Sequence, residues 1–176
     1  EVRNAFSGID GKILQDIKLQ FAPAQLTQMA LGDYPDHYKE SQEFRTWVDN
    51  NVSRHKVTGY GVVTASLKSH GTTPGDATSK QMKAVAKIAK QFSHDELRIS
   101  NEQNIVFPHV HKSTLFELYR KLKHVGLASS NVGLISDIVA CPGLDYCKLA
   151  TARSIPLAKE LGIRFRKLDL EQKIGS

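Results

Sequence analysis

The sequence predicts an α+β fold, and three observations carry that expectation. A period-two apolar run begins at Val57, two capping-box signatures each open an amphipathic helical stripe, and a short polar turn separates two β-prone runs. In order, residues 1–54 read as a mostly helical linker segment. Gly11-Lys12-Ile13-Leu14-Gln15-Asp16-Ile17 is followed by Phe21-Ala22-Pro23, and Leu26, Met29, Ala30 and Leu31 precede the turn-rich Gly32-Asp33-Tyr34-Pro35-Asp36. Ser41 to Val52 is expected to be a helix with Phe44, Trp47 and Val48 on one face. From Val57 to Leu67, Val57, Gly59, Gly61, Val63, Ala65 and Leu67 alternate with Thr58, Tyr60, Thr64 and Ser66, as in a strand buried on one face. Ser69 to Gly75 is a Gly/Pro loop, after which Thr78-Ser79-Lys80-Gln81 forms a capping box for a helix whose core stripe is Met82, Val85, Ile88, Ala89 and Phe92.

Leu97-Arg98-Ile99 and Ile105-Val106-Phe107 flank a polar turn and read as a β-hairpin. Thr114-Leu115-Phe116-Glu117 is the second capping box, opening a helix with Leu115, Leu118, Tyr119, Leu122 and Val125 inward and Gly126 at its end. Ile135 to Ala140 reads as a last strand. The order β-α-β-β-α-β is the ferredoxin-like split arrangement, an antiparallel sheet with helices on one face, expected over residues 55–140.

A length of 176 residues suits one domain. With 40% hydrophobic residues and a mean hydropathy of −0.33, the chain reads as an ordinary soluble protein without a bilayer-length apolar run, and no membrane partner is expected. No basic segment followed by an apolar one opens at Glu1, so the cytoplasm is the expected location. The net charge of +6 and pI near 9.3 raise the question of nucleic acid. However, Lys80, Lys83, Lys87 and Lys90 recur at helical steps, as do Arg120, Lys121 and Lys123, which marks solvated helix faces that also attract anions. No aromatic interleaving supports a nucleic-acid groove.

Chemistry concentrates in Ala140-Cys141-Pro142-Gly143-Leu144-Asp145-Tyr146-Cys147, which holds both cysteines of the chain. Five residues separate them, against the two to four usual for zinc, and the two-residue spacing of thiol redox proteins is absent. Pro142-Gly143 predicts a tight turn, and Cys147 falls where a helix N-terminus would lower its pKa. In Arg98-Ile99-Ser100-Asn101-Glu102-Gln103-Asn104 the residue types are ordinary turn formers. They also place a guanidinium and side-chain amides able to bind carboxylates on one hairpin. His109 and His111 would share one side of a strand, a chelating spacing, but with no third ligand nearby they read as surface residues. His55, His70, His94 and His124 sit in loop or helix-end sequence and receive no role.

Gly126 to Gly143, continuing through Cys147 to Ala152-Arg153-Ser154-Ile155-Pro156-Leu157-Ala158, resembles the first cluster-binding cysteine pair of the sirohaem-containing nitrite and sulfite reductases. It is most like that of the haemoprotein (beta) subunit of sulfite reductase. Phe44 to Val52, Lys56-Val57-Thr58-Gly59-Tyr60, Pro74-Gly75-Asp76-Ala77-Thr78 and Leu97 to Asn104 fall in the order expected of that family.

The resemblance implies a sulfur-assimilation oxidoreductase that carries sulfite (or nitrite) through a six-electron reduction at sirohaem and a 4Fe-4S cluster. Electrons would come from a flavoprotein or ferredoxin. It implies Cys141 and Cys147 as metal ligands, Arg98, Gln103 and Asn104 as cofactor-binding residues, and residues 141–176 as the start of the cluster-binding domain. Such a cluster normally takes four thiolates, so the chain is expected to be an internal fragment, inactive alone. The alternative is a ferredoxin-like module that binds a small ligand or a protein without redox activity.

Overall fold

The computed structural model describes residues 10–20, 24–27, 35–69 and 71–168. Phe21-Ala22-Pro23, residues 28–34 with Met29 and Leu31 among them, His70 and residues 169–176 lie outside them, as do residues 1–9. The first described helix is α1 (Gly11–Gln20), whose Ile13, Leu14, Ile17 and Leu19 are all exposed. After the short α2 (His37–Glu40), α3 (Gln42–Asn51) starts where the Ser41 hydroxyl accepts a bond from the Phe44 amide at 3.3 Å, meeting one of the orphan donors of a helix start.

The sheet follows as β1 (Val52–Arg54), β2 (Tyr60–Ala65), β3 (Arg98–Ile99) and β4 (Ile105–His111), in the spatial order β1-β2-β4-β3 with every neighbour antiparallel. Between β2 and β3 runs α4 (Ser79–Phe92). There Thr78 and Gln81 form the expected reciprocal capping box. α5 (Leu115–His124) follows β4, and α6 (Ser154–Lys167) closes the described chain.

β4 contains a bulge. Gly61 pairs Val110 and Val63 pairs Phe107, so one residue of β2, Val62, stands opposite two of β4, Pro108 and His109. The extra residue keeps Phe107 and Val110 on the same face, and Pro108, which has no N–H to give a ladder, sits where none is needed. That face carries Val63, Ala65, Ile105, Phe107 and Val110. On it pack Phe44, Trp47 and Val48 of α3, Val85, Ile88, Ala89 and Phe92 of α4, and Leu115, Leu118, Tyr119 and Leu122 of α5. Val62, Thr64 and Val106 occupy the opposite face, partly exposed.

The α+β class with an antiparallel sheet is as expected, and four local expectations are corrected. Ile135–Ala140 is not a strand but an irregular segment, and β1, three residues long, supplies the fourth strand instead. The described order is therefore β-β-α-β-β-α. The strand expected over 57–67 is confined to Tyr60–Ala65, because Val57 to Gly59 form a turn closed by a Tyr60 amide to Val57 carbonyl bond. Met82 is 45% exposed and faces solvent rather than the core. Thr114 does not cap α5. Its hydroxyl donates to the His111 carbonyl at 2.8 Å and helps close a 3-10 turn at Lys112–Thr114. Gly126 ends α5 as expected, at φ 74°, with the Leu127 amide returning to the Leu122 carbonyl at 2.9 Å.

Candidate cofactor site

The cysteine loop is built on one glycine. Gly143 is buried at φ 57°, and a Cβ there would lie 2.6 Å from the Ser154 hydroxyl and 2.8 Å from the Ala152 carbonyl. No other residue fits that close approach without displacing backbone. The Cys147 amide bonds the Gly143 carbonyl at 2.8 Å and the Leu144 amide bonds the Ala152 carbonyl at 3.0 Å, folding the loop onto the start of α6.

Cys141 is exposed, Cys147 is half-buried, and neither is in a disulfide. The Ser154 hydroxyl lies 3.3 Å from the Cys141 sulfur and donates to the Cys141 carbonyl at 2.6 Å. That hydroxyl first, and a hydrogen bond from the Gly143 backbone second, hold the Cys141 thiol below its ordinary pKa. The sequence had assigned the helix N-terminus to Cys147. The helix begins seven residues later, at Ser154, whose side-chain hydroxyl lies against Cys141.

The hairpin reaches this loop directly. Gln103, held at φ 59° in the β3–β4 turn, donates from Nε2 to the Ala140 carbonyl at 3.0 Å and accepts the Ala140 amide on Oε1 at 3.3 Å. One side chain thus copies both bonds of a strand pair on the residue before Cys141. Gly75 lets it pass: a Cβ at that position would lie 3.0 Å from Gln103 Oε1. Asn104, 1% exposed, directs its amide inward, accepting from the Leu67 amide at 3.2 Å and Lys68 Nζ at 3.0 Å and donating to Asp137 Oδ1 at 3.1 Å.

Lys68 and Asp137 form an ion pair at 2.8 Å, with side chains 2% and 6% exposed, and Lys68 also donates to the Glu102 carbonyl. Buried charges of this kind stand only when paired and hydrogen-bonded. Arg98 stands opposite Val106 in the ladder, which puts it on the sheet face away from the helices. Its guanidinium is engaged by Glu96, with Nε and Nη2 at 2.8 and 2.7 Å from Oε1. Burial would raise the Glu96 pKa, but the Arg98 hydrogen bond and charge, joined by His109, outweigh it and hold the carboxyl below its ordinary value.

So the structure joins Gln103 to the cysteine loop at Ala140 and Asn104 to Asp137, four residues before Cys141, while Arg98 sits apart in an ion pair of its own. Lys68, Asp137, Ser154 and Glu96 were missed in the sequence. Only the Asp137 in Ser136-Asp137-Ile138, a charge inside an apolar run, signalled a buried partner.

Residues 57–125 match the nitrite/sulfite reductase ferredoxin-like half domain. The matched half-domain runs from the turn before β2 to the residue after α5, so it includes Arg98, Gln103 and Asn104 and stops short of the cysteine loop. An uncharacterized protein, MJ0551, of Methanocaldococcus jannaschii is 28% identical over 102 residues, which cover 57% of this chain and 36% of that protein. The chain thus matches little more than a third of that relative's length. No solved structure matches it.

For an iron–sulfur cluster the fit is partial and specific. One exposed thiol with a lowered pKa and one half-buried thiol sit on a loop that a glycine and a helix start hold rigid. Among the described residues no three His, Cys, Asp or Glu side chains converge as a complete metal site.

Proposed function

We propose that this chain is part of a sirohaem- and 4Fe-4S-dependent sulfite or nitrite reductase, with Cys141 and Cys147 as two of the cluster ligands. The observation that carries the reading is the Gln103 clamp on Ala140, which fastens the cysteine turn to the hairpin of the matched half-domain. When bound, cluster and sirohaem supply the one-electron steps and the iron at which the anion takes up six electrons. The residues of this chain do the rest. Ser154 lowers the pKa of the Cys141 thiol, and Gln103 fixes the turn that carries it. Asn104, locked to Lys68 and Asp137, stiffens the floor between hairpin and loop. Arg98 contributes positive charge to the sheet face on which a sirohaem carboxylate would lie, at the cost of loosening its pair with Glu96. The exposed lysines of α4, Lys80, Lys83, Lys87 and Lys90, suit an acidic electron donor such as a ferredoxin or flavoprotein.

The test is iron, sulfide and sirohaem content of the natural full-length protein purified without oxygen, alongside Cys141→Ser, Cys147→Ser and Lys87→Ala. Both cysteine variants should lose the iron-dependent absorbance and Lys87→Ala should keep it. Sulfite and nitrite consumption with a chemical reductant separates the two substrates. A full-length protein with neither iron nor sirohaem after reconstitution would leave the ferredoxin-like binding module as the function.

A further inference from the structure

A second cluster of chemistry-bearing side chains lies where the end of α4 meets the β4 bulge. The Val57 amide donates to His55 Nδ1 at 2.8 Å, so His55 carries its proton on Nε2. That nitrogen lies 3.1 Å from His109 Nδ1, and the other ring nitrogen of His109, Nε2, lies 3.2 Å from Glu96 Oε2. Two inner imidazole nitrogens thus face each other while both outer nitrogens are tethered, one to backbone and one to a carboxylate. Two imidazoles on one tetrahedral zinc, at about 2.0–2.1 Å each, have their nitrogens about 3.3 Å apart. A carboxylate on the far nitrogen is the usual support of a metal-bound histidine.

Alongside lies a pocket of about 250 Å³ lined by Tyr60, His94, His109 and His111, and Nε2 of His111 is buried with no hydrogen-bond partner among the described residues. We propose that His55 Nε2 and His109 Nδ1 bind a divalent transition-metal ion of the zinc and copper class, whose remaining positions open on this pocket.

Binding moves the His55 proton from Nε2 to Nδ1, so no proton is released; the Val57 amide gives up its bond to Nδ1, which then donates to the Val57 carbonyl at 3.3 Å. Imidazole nitrogens with no thiolate among the ligands favour zinc, copper or nickel over calcium or magnesium. The site shares no residue with the cysteine loop and touches the reductase reading only through Glu96, which pairs with Arg98.

The experiment uses the full chain carrying Cys141→Ser and Cys147→Ser, so that no thiol competes. Calorimetric titration with Zn²⁺ alone should give one ion per chain. His55→Ala and His109→Ala should each weaken binding at least tenfold, while His37→Ala, whose ring stacks on Phe116, should not. Glu96→Gln retains both ligands and should weaken binding about 10–100-fold. With Cu²⁺, electron paramagnetic resonance should show hyperfine coupling to two nitrogens, lost in either histidine variant. Absence of uptake, or unchanged affinity in both histidine variants, overturns the proposal. If those variants fail to fold by circular dichroism, unchanged affinity in Glu96→Gln overturns it instead.

Discussion

Ser154→Ala removes the hydroxyl that does most to depress the Cys141 thiol, so the pH midpoint for alkylation of Cys141 should move up toward the ordinary value of 9.0. Rates of iodoacetamide labelling at Cys141, followed by peptide mass spectrometry across pH, measure it; an unmoved midpoint would assign the depression to the Gly143 backbone alone. Lys68→Met leaves Asp137 as a buried unpaired carboxylate and should cost about 3–5 kcal/mol. The single tryptophan, Trp47, is fully buried and reports the loss in urea titrations by fluorescence.

His109 gives a pH signature. Its folded pKa is below 6.5, so above pH 6.5 neither state binds the proton and stability is unaffected. As pH falls below 6.5 the unfolded chain binds a proton that the folded chain refuses, and stability falls until the lowered folded value is passed. Glu96 acts further into acid. Its depressed folded pKa contributes stability above 4.5 that is lost as pH drops through the folded value. Urea midpoints between pH 7 and 5 should therefore slope less in His109→Gln than in the parent.

At the scale of elements, the Gln103 clamp couples a turn to a loop without any strand between them. Gln103→Ala should speed amide exchange at Ala140 and expose the 136–150 segment to proteases, while β2 and β4 keep their protection. The same clamp explains what the sequence concealed. Ile135, Ile138 and Val139 look strand-like, yet the segment gives its hydrogen bonds to side chains, at Ala140 to Gln103 and around Asp137 to Lys68 and Asn104, which no periodicity encodes. β1 escaped notice because three residues are too few to show alternation. Helices α3, α4 and α5 were legible since their apolar stripes and the Thr78 cap are local signals, whereas α6, expected to start near Cys147, begins at Ser154. The cysteine pair was legible too, whereas Ser154, Lys68 and the His55–His109–Glu96 chain depend on contacts across 13 to 69 residues of sequence.

Across the whole molecule, one apolar cluster joins three helices to a single face of the sheet, and Phe44, Trp47 and Tyr119 meet within it with ring centroids 5.1–6.0 Å apart. Trp47→Ala should cost about 3–5 kcal/mol, read from urea unfolding by circular dichroism, since it opens a cavity at the centre of that cluster. Among the described residues no helix is long and apolar enough to cross a membrane. The outer strands of the sheet are β1, with three residues, and β3, with two, the latter carrying Arg98 in an ion pair. An incoming chain would therefore find only a few free backbone groups to copy, and it would meet a charged side chain while doing so. The sheet offers little to seed fibrils or exchanged-strand dimers, so concentrated solutions of the folded protein should resist that route to self-association even though the sheet is open at both ends.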